Sequence, residues 1–410
     1  MHRKRIKCDK IFYLLLTAFI VCFVLSESQL NEMGAFGSLL KVVKLVIITL
    51  IIILALVKNR TAKKNILITT LVLIFVLTFN LVFNDGGLSI IPIIMLAWAA
   101  KNYSLEKVFY ISFYALLLTT LFVILCSAVG LLRDEVSLLV RGREDTFFAG
   151  IYYRHNMGFL VHNQVAIYLF ALYLLFIMIR KDNIRYYESA IVLFLNYLVL
   201  VFFGSRIVFV LIPITCVGYY FVRIVEKKHK RKQLLSKISV VVFPSCCIFS
   251  FITAYNYSSH SKFYRMLDLL FSNRLRLAKE ALTYYGIHLT GSGQNAASYN
   301  STLLVDNTVD NGYISFFIQN GLIVGLLLVG IWTYITYLAV KNGDRYLILV
   351  LVMIAVENII NPHLGSYLFV PFLCIFVNKN DPFIMTKMRF LNVMNKRTKR
   401  KHGHIRLKES

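Results

Sequence analysis

The chain carries its apolar residues in long blocks that have no polar face, such as "KLVIITLIIILALV", "IVLFLNYLVLVFF" and "YLILVLVMIAV". A helix lying on a soluble core shows a polar stripe, and one that is apolar all round needs nonpolar surroundings on every side. A stretch of about 20 such residues covers the hydrocarbon of a bilayer. Apolar runs fall near 11–25, 39–57, 65–83, 88–100, 106–130, 161–179, 187–203, 207–225, 237–254, 313–340, 346–360 and 366–378. The expected fold is an all-α polytopic integral membrane helical bundle of about 12 transmembrane helices, with residues 1–378 as one transmembrane domain. The runs at 88–100 and 366–378 are short enough to be re-entrant.

Composition and charge agree with this. Only 16% of the 410 residues are charged and 58% are hydrophobic, whereas soluble domains carry about 25% charged residues. A net charge of +25 would point to nucleic acid in a soluble protein. Here the basic residues crowd into short connections and tails, the pattern that orients helices in a membrane. The expected partner of that charge is the lipid bilayer, with no nucleic acid. With the N-terminus inside, "KNRTAKKN", "KNYSLEK", "RKDNIR", "EKKHKRKQ" and "KNGDR" become cytoplasmic connections and 379–410 a basic cytoplasmic tail. That side then holds 33 of the 45 Lys and Arg, a bias that adding or deleting one helix destroys. Both termini are expected in the cytoplasm. The basic-then-apolar start resembles a signal peptide, but polar "SESQLNEM" follows in place of a cleavage site, which reads as a retained first helix. The seven cysteines lie mostly in apolar runs without metal-ligand spacing, and adjacent Cys246 and Cys247 suit neither a bridge nor a tetrahedral site. No metal is expected.

Two extracytoplasmic loops, 131–160 and 255–312, are long for connections in a compact fold. In the second, Phe271, Leu275, Ala278, Leu282 and Tyr285 recur at helical spacing, with Ser272 or Asn273 placed as a cap. The spacing predicts an amphipathic helix suited to the outer leaflet, with Arg274 flanking its apolar stripe and Arg276 pointing away.

Polar islands gather at the same level. "RHNMGFLVHNQ" holds Arg154, His155, His162 and Asn163; "FFGSRIVF" holds Ser205 and Arg206. "VDNTVDNGYISFF" supplies Asp306, Asp310, Asn311 and Tyr313, and "VENIINPHLG" supplies Glu357, Asn358 and Asn361. Arginine suits phosphate because its planar fork binds two oxygens at once, and an ionisable residue at the membrane edge is costly to keep there. Arg206 either binds substrate or snorkels to headgroups. Arg154, Arg274 and Arg276 either bind substrate or are solvated by loop and surface helix. His155 and His162 are candidates for acid–base work near neutral pH or for hydrogen bonding alone. Asn156 and Asn163 read as helix caps. Asp310 either accepts a proton or caps the following helix. Glu357, inside an apolar segment, must find a partner. "GSGQN" (Gly291–Asn295) lacks the Lys-Ser/Thr of a phosphate loop and reads as a turn. Walker, Rossmann and D-x-D patterns are missing from the sequence, so no cofactor is expected and a substrate acted on outside must arrive already activated.

In order, these islands resemble a known family. An arginine precedes Gly158, Phe159, His162, Asn163 and Ala166 at the entrance of a helix. Gly204 to Arg206 form "G-S-R" at an outer turn. Ser272 to Leu275 form "S-N-R-L", then Gly291 and Gly293 form "G-x-G". Asp310 to Tyr313 and Asn320 to Leu322 close the set. The order resembles the Wzy-type polysaccharide polymerases of the O-antigen ligase/polymerase superfamily, over roughly residues 130–362. The resemblance implies a glycosyltransferase in the bacterial cytoplasmic membrane. It would join oligosaccharide repeat units carried on undecaprenyl diphosphate into capsular or O-antigen polysaccharide, beside a flippase and a chain-length regulator of the same pathway. It maps the family's loop arginines to Arg154, Arg206 and Arg274. Asp310-Asn311 stands where the ligase branch has His-Asn, which favours polymerase. The proline usual between the earlier His and Asn is absent here.

On this reading transfer is metal-independent. Arg206, with Arg154 or Arg274, stabilises the leaving diphosphate and Asp310 orients or deprotonates the acceptor hydroxyl. His155, His162, Asn163, Ser205, Arg276, Asn311, Tyr313 and Glu357 complete the binding site. A flippase for the same lipid-linked sugar and an O-antigen-type ligase are the alternatives. Transporters place polar and broken helices at mid-membrane, whereas these islands lie at the outer edge.

Overall fold

The computed structural model describes residues 2–58, 90–101, 103–141, 150–227, 237–271, 274–291, 309–379 and 381–384. The run expected at 65–83, the caps expected at Ser272 or Asn273, residues 292–295, Asp306 and the tail from 385 lie outside them. Helices α1 (His2–Ser26), α2 (Ala35–Lys58), α3 (Ile90–Ala99) and α4 (Leu105–Ala128) lead to strands β1 (Val136–Arg141) and β2 (Gly150–His155). Then come α5 (Gln164–Arg180), α6 (Tyr186–Phe203), α7 (Arg206–Lys227) and α8 (Val242–Tyr255). The remaining helices are α9 (Lys262–Leu270), α10 (Arg274–Tyr285), α11 (Gly312–Asn342), α12 (Arg345–Glu357) and α13 (Val370–Val377).

Among the described residues seven helices are long and apolar enough to cross a bilayer: α1, α2, α4, α5, α6, α7 and α11. Side chains such as Leu14, Leu118 and Val217 stand more than half exposed on them, as lipid-facing positions do. The chain is a multi-pass helical membrane bundle. Two features differ from the sequence expectation. The 131–160 loop carries an antiparallel hairpin that pairs Ser137 with Arg154 and Leu138 with Tyr153, so the protein is not purely helical. Helix α5 starts at Gln164, which leaves His162 in the loop before it.

The connections collect at two ends. At one, Lys181 Nζ binds the Asp344 carboxylate at 2.8 Å and also the Phe383 carbonyl. There the Leu105 amide donates to Asp381 at 3.1 Å and Asn378 donates to the Ala100 carbonyl at 2.9 Å. At the other end, the Leu160 amide donates to the Glu27 carbonyl at 3.0 Å and the Gln29 amide to the Gly158 carbonyl at 2.9 Å. The polar islands lie at this second end.

Polar residues inside the bundle answer specific backbone needs. Pro213 within α7 has no N–H, so the Phe209 carbonyl one turn earlier loses its usual donor. Buried Asn196 of α6 supplies one at 3.0 Å. Trp332 of α11 stacks on Phe243 of α8 at 5.2 Å and donates its indole N–H to the Leu364 carbonyl. Helix α11 is broken at Gly321, whose φ of 85° is left-handed.

The amphipathic segment is two helices, α9 and α10, with Phe271 closing the first. Leu275, Ala278 and Ala281 of α10 are buried, and the last two pack with Ala254, Val309, Ile314 and Ile318. The stripe therefore faces α8 and α11, correcting the expectation that it rests on the outer leaflet. Its cap comes from α9: Asp268 Oδ1 accepts from the amides of Leu275 at 2.9 Å and Arg276 at 3.2 Å.

Candidate functional site

The described contacts arrange the site residues in two groups joined at the end of α1. The first is built around Asp134, just before β1. Its Oδ1 accepts from the Asn156 and Met157 amides at 3.1 and 2.9 Å, and its Oδ2 lies 2.5 Å from His155 Nδ1. Burial pushes the Asp134 carboxyl up, but the His155 bond and the two amides together outweigh it and hold the carboxyl below its ordinary range. Asn156 is buried and its Oδ1 accepts from the amides of Glu135 at 2.9 Å and Gly158 at 3.4 Å. It ties the hairpin to the following turn rather than capping a helix.

Strand β2 presents Arg154 to the end of α6. Its Nε donates to the Phe203 carbonyl at 3.1 Å, one of the carbonyls a helix leaves unpaired at its C-terminus. Its Nη2 donates to Asn163 Oδ1 at 2.9 Å. Asn163 occupies the N-cap position of α5 without a side-chain cap bond, because its oxygen serves the guanidinium instead; this corrects the capping expectation. The stem of Arg154 lies over Gly204, where an added Cβ would meet Arg154 Cγ at 3.1 Å. Gly204 also ends α6 at φ 61°, so the turn needs glycine for two reasons. Ser205 is buried behind it, and Arg206 opens α7 partly exposed. His162 lies nearby, and burial followed by the charge of Arg154 pulls its imidazole below the ordinary value.

The second group centres on Arg274, the first residue of α10, which is buried. Its Nε pairs with Asp310 Oδ2 at 3.1 Å, while Nη1 donates to Asn361 Oδ1 at 2.9 Å and to the Ile360 carbonyl. Burial draws the guanidinium down, and Asp310 and Glu357 push it back up. Each residue of "DNGY" then has a distinct place. Asp310 holds Arg274. Asn311 caps α11, its Oδ1 accepting from the Ile314 amide at 3.0 Å; of the two roles read for Asp310, capping belongs to its neighbour. Gly312 donates its amide to the Asn358 carbonyl at 2.9 Å, and a Cβ there would stand 2.4 Å from the Asn361 carbonyl oxygen. Tyr313 is buried and donates to the Ala355 carbonyl at 3.1 Å. Glu357 finds its partner in His363, Oε1 to Nδ1 at 2.8 Å. Arg276 belongs to neither group; it points outward beside Glu280, 3.9 Å away.

Glu27 bridges the groups. Its carbonyl holds the Leu160 amide, and its carboxyl, raised by burial, is opposed by the charges of Lys44 and His363. Glu27, Asp134, Asp268 and His363 were missed in sequence. His363 had the most visible signal, six residues beyond an isolated membrane glutamate. Compared with models of known protein families, with curated proteins and with solved structures, the chain matches none of them.

Proposed function

We propose that this protein polymerises undecaprenyl-diphosphate-linked oligosaccharide repeat units at the outer face of the bacterial cytoplasmic membrane, forming a capsular or O-antigen-type polysaccharide. The polar end of the bundle is the outer end, about twelve spans cross the membrane, and both termini are cytoplasmic. The observation that carries the reading is the seating of Arg154 on the Gly204 turn that leads into Arg206. Two motifs about fifty residues apart in sequence thereby meet at one turn, which supports the reading because planar guanidinium forks suit diphosphate oxygens. Arg206 and Arg154 hold the departing diphosphate, and Arg274, held by Asp310, orders the acceptor side.

Deletion of the gene followed by sizing of the surface glycan tests this. The expected product is a single repeat unit displayed outside; polymer of normal length would refute the proposal. At equal expression, Arg206→Ala is expected to shorten or abolish polymer.

One observation favours a flippase as a second reading: the α11 break at Gly321 together with buried Glu357 is of the kind transporters use. A lost flippase traps the repeat units inside, so the deletion strain separates the two. A ligase differs in its acceptor, transferring finished chains in vesicles supplied with core or wall glycan.

A further inference from the structure

Beyond the end of α12 the chain folds back so that His363 meets Glu357. The Ile360 and Asn361 amides both donate to the Glu357 carbonyl, at 3.0 and 2.9 Å, and the Ser366 amide donates to the His363 carbonyl at 2.9 Å. This turn fixes the ring against the carboxylate. With Nδ1 2.8 Å from Glu357 Oε1, the bond consumes the Nδ1 proton and leaves Nε2 as a lone-pair acceptor. Glu357 is 0% exposed, and its Oε2 is buried without a hydrogen-bond partner among the described residues. A buried carboxylate that holds an imidazole in one tautomer is how a histidine is set up as a base. The His363 side chain keeps 15% of its surface open, so the ring is not sealed off. Asp310, by contrast, already holds Arg274.

We propose that His363 is the proton acceptor of the transfer reaction and that Glu357 is its positioning residue, which rests on the polymerase reading. In the step, the acceptor sugar's O–H bond breaks and its proton passes to His363 Nε2. The freed oxygen pair forms the new bond to the donor's anomeric carbon. The bond from that carbon to the diphosphate breaks, the diphosphate leaves with the electron pair, and the imidazolium returns its proton to water. The charged groups facing this pair are Glu27, just past α1, which also feels Lys44 of α2, and Arg274 of α10, which is paired with Asp310.

The test uses the full chain in proteoliposomes supplied with the lipid-linked repeat unit from a deletion strain. If wild-type protein makes no polymer, the polymerase reading fails by itself. If it does, His363→Gln is expected to lower kcat about 100-fold or more with little change in KM. Glu357→Gln removes the carboxylate that fixes the ring while nearly keeping its size, so it is expected to lower kcat by a smaller factor than His363→Gln, with KM little changed, and Glu357→Asp is expected to recover part of that loss. Added imidazole is expected to restore part of the rate to His363→Ala. Wild-type kcat in His363→Gln, or wild-type kcat in Glu357→Gln, overturns the proposal.

Discussion

Gly321 and Gly291 touch backbone to backbone: a Cβ on Gly321 would stand 2.3 Å from the Gly291 amide nitrogen, and one on Gly291 would stand 2.4 Å from the Gln319 carbonyl oxygen. Both glycines are left-handed, at φ 85° and 88°. The break they permit frees two helix amides, which the loop after α10 satisfies. Leu322 donates to the His288 carbonyl at 2.9 Å and Ile323 to the Leu289 carbonyl at 3.3 Å. Irregular backbone at membrane depth persists only where protein supplies such partners.

Gly321→Ala is therefore expected to destabilise the bundle by at least about 1–3 kcal/mol from backbone strain, before the clash is counted. Thermal unfolding in detergent measures it, with Gly330→Ala as the control, because a Cβ at Gly330 meets nothing within 4 Å. Equal losses in the two variants would contradict the packing described.

Arg154→Lys keeps the charge but loses the fork that reaches Phe203 and Asn163 together. Polymer yield in cells carrying Arg154→Lys is expected to fall nearly as far as with Arg154→Ala. Full yield with lysine would show that charge alone suffices.

Arg274 is buried and Asp310 about a third exposed, so losing the carboxylate leaves the guanidinium on the neutral oxygens of Asn361 and Ile360, whereas losing the arginine leaves a carboxylate that water reaches. Arg274→Met or Asp310→Leu alone is expected to cost about 1–3 kcal/mol, and the double variant less than the sum. A double-mutant cycle on detergent-solubilised protein reads the coupling; additive losses would mean that the two do not interact.

Acid sensitivity should have two stages. The folded His162 value is lowered, so its contribution is whole above the unfolded value, about 6.5, and is lost as pH falls from there through the folded value. Asp134 is also lowered, and its contribution is whole above about 3.9 and lost as pH falls further. Glu27 is raised and has the opposite sign: its contribution is present below the unfolded value and lost as pH rises through the folded one. His162→Gln is expected to flatten the first stage of a stability-versus-pH curve and leave the second in place.

The helical membrane bundle was legible because lipid demands uninterrupted apolar length, a signal written residue by residue; seven of the roughly twelve expected spans stand among the described residues, and "RKDNIR" and "KNGDR" meet at one end as the Lys181–Asp344 pair. The side-chain partners were not legible. Asn163 sits where a cap belongs, yet its oxygen goes to a guanidinium from a strand the periodicity did not reveal. Asp268 caps α10 from the preceding helix, a choice set by how α9 folds back. His363 reaches Glu357 only through a turn whose shape comes from backbone bonds. The Gly321 break was hidden because glycine inside an apolar helix is ordinary in membranes.

The clamp on Lys181 bears on how the protein is made. Its ammonium waits for Asp344 and for the Phe383 carbonyl, and the Leu105 amide waits for Asp381. These ligands leave the ribosome long after the helices they fasten, so early spans must dwell in the bilayer as a loose assembly. A chain stopped before residue 381 should insert and then invite quality-control proteolysis at that unlocked end.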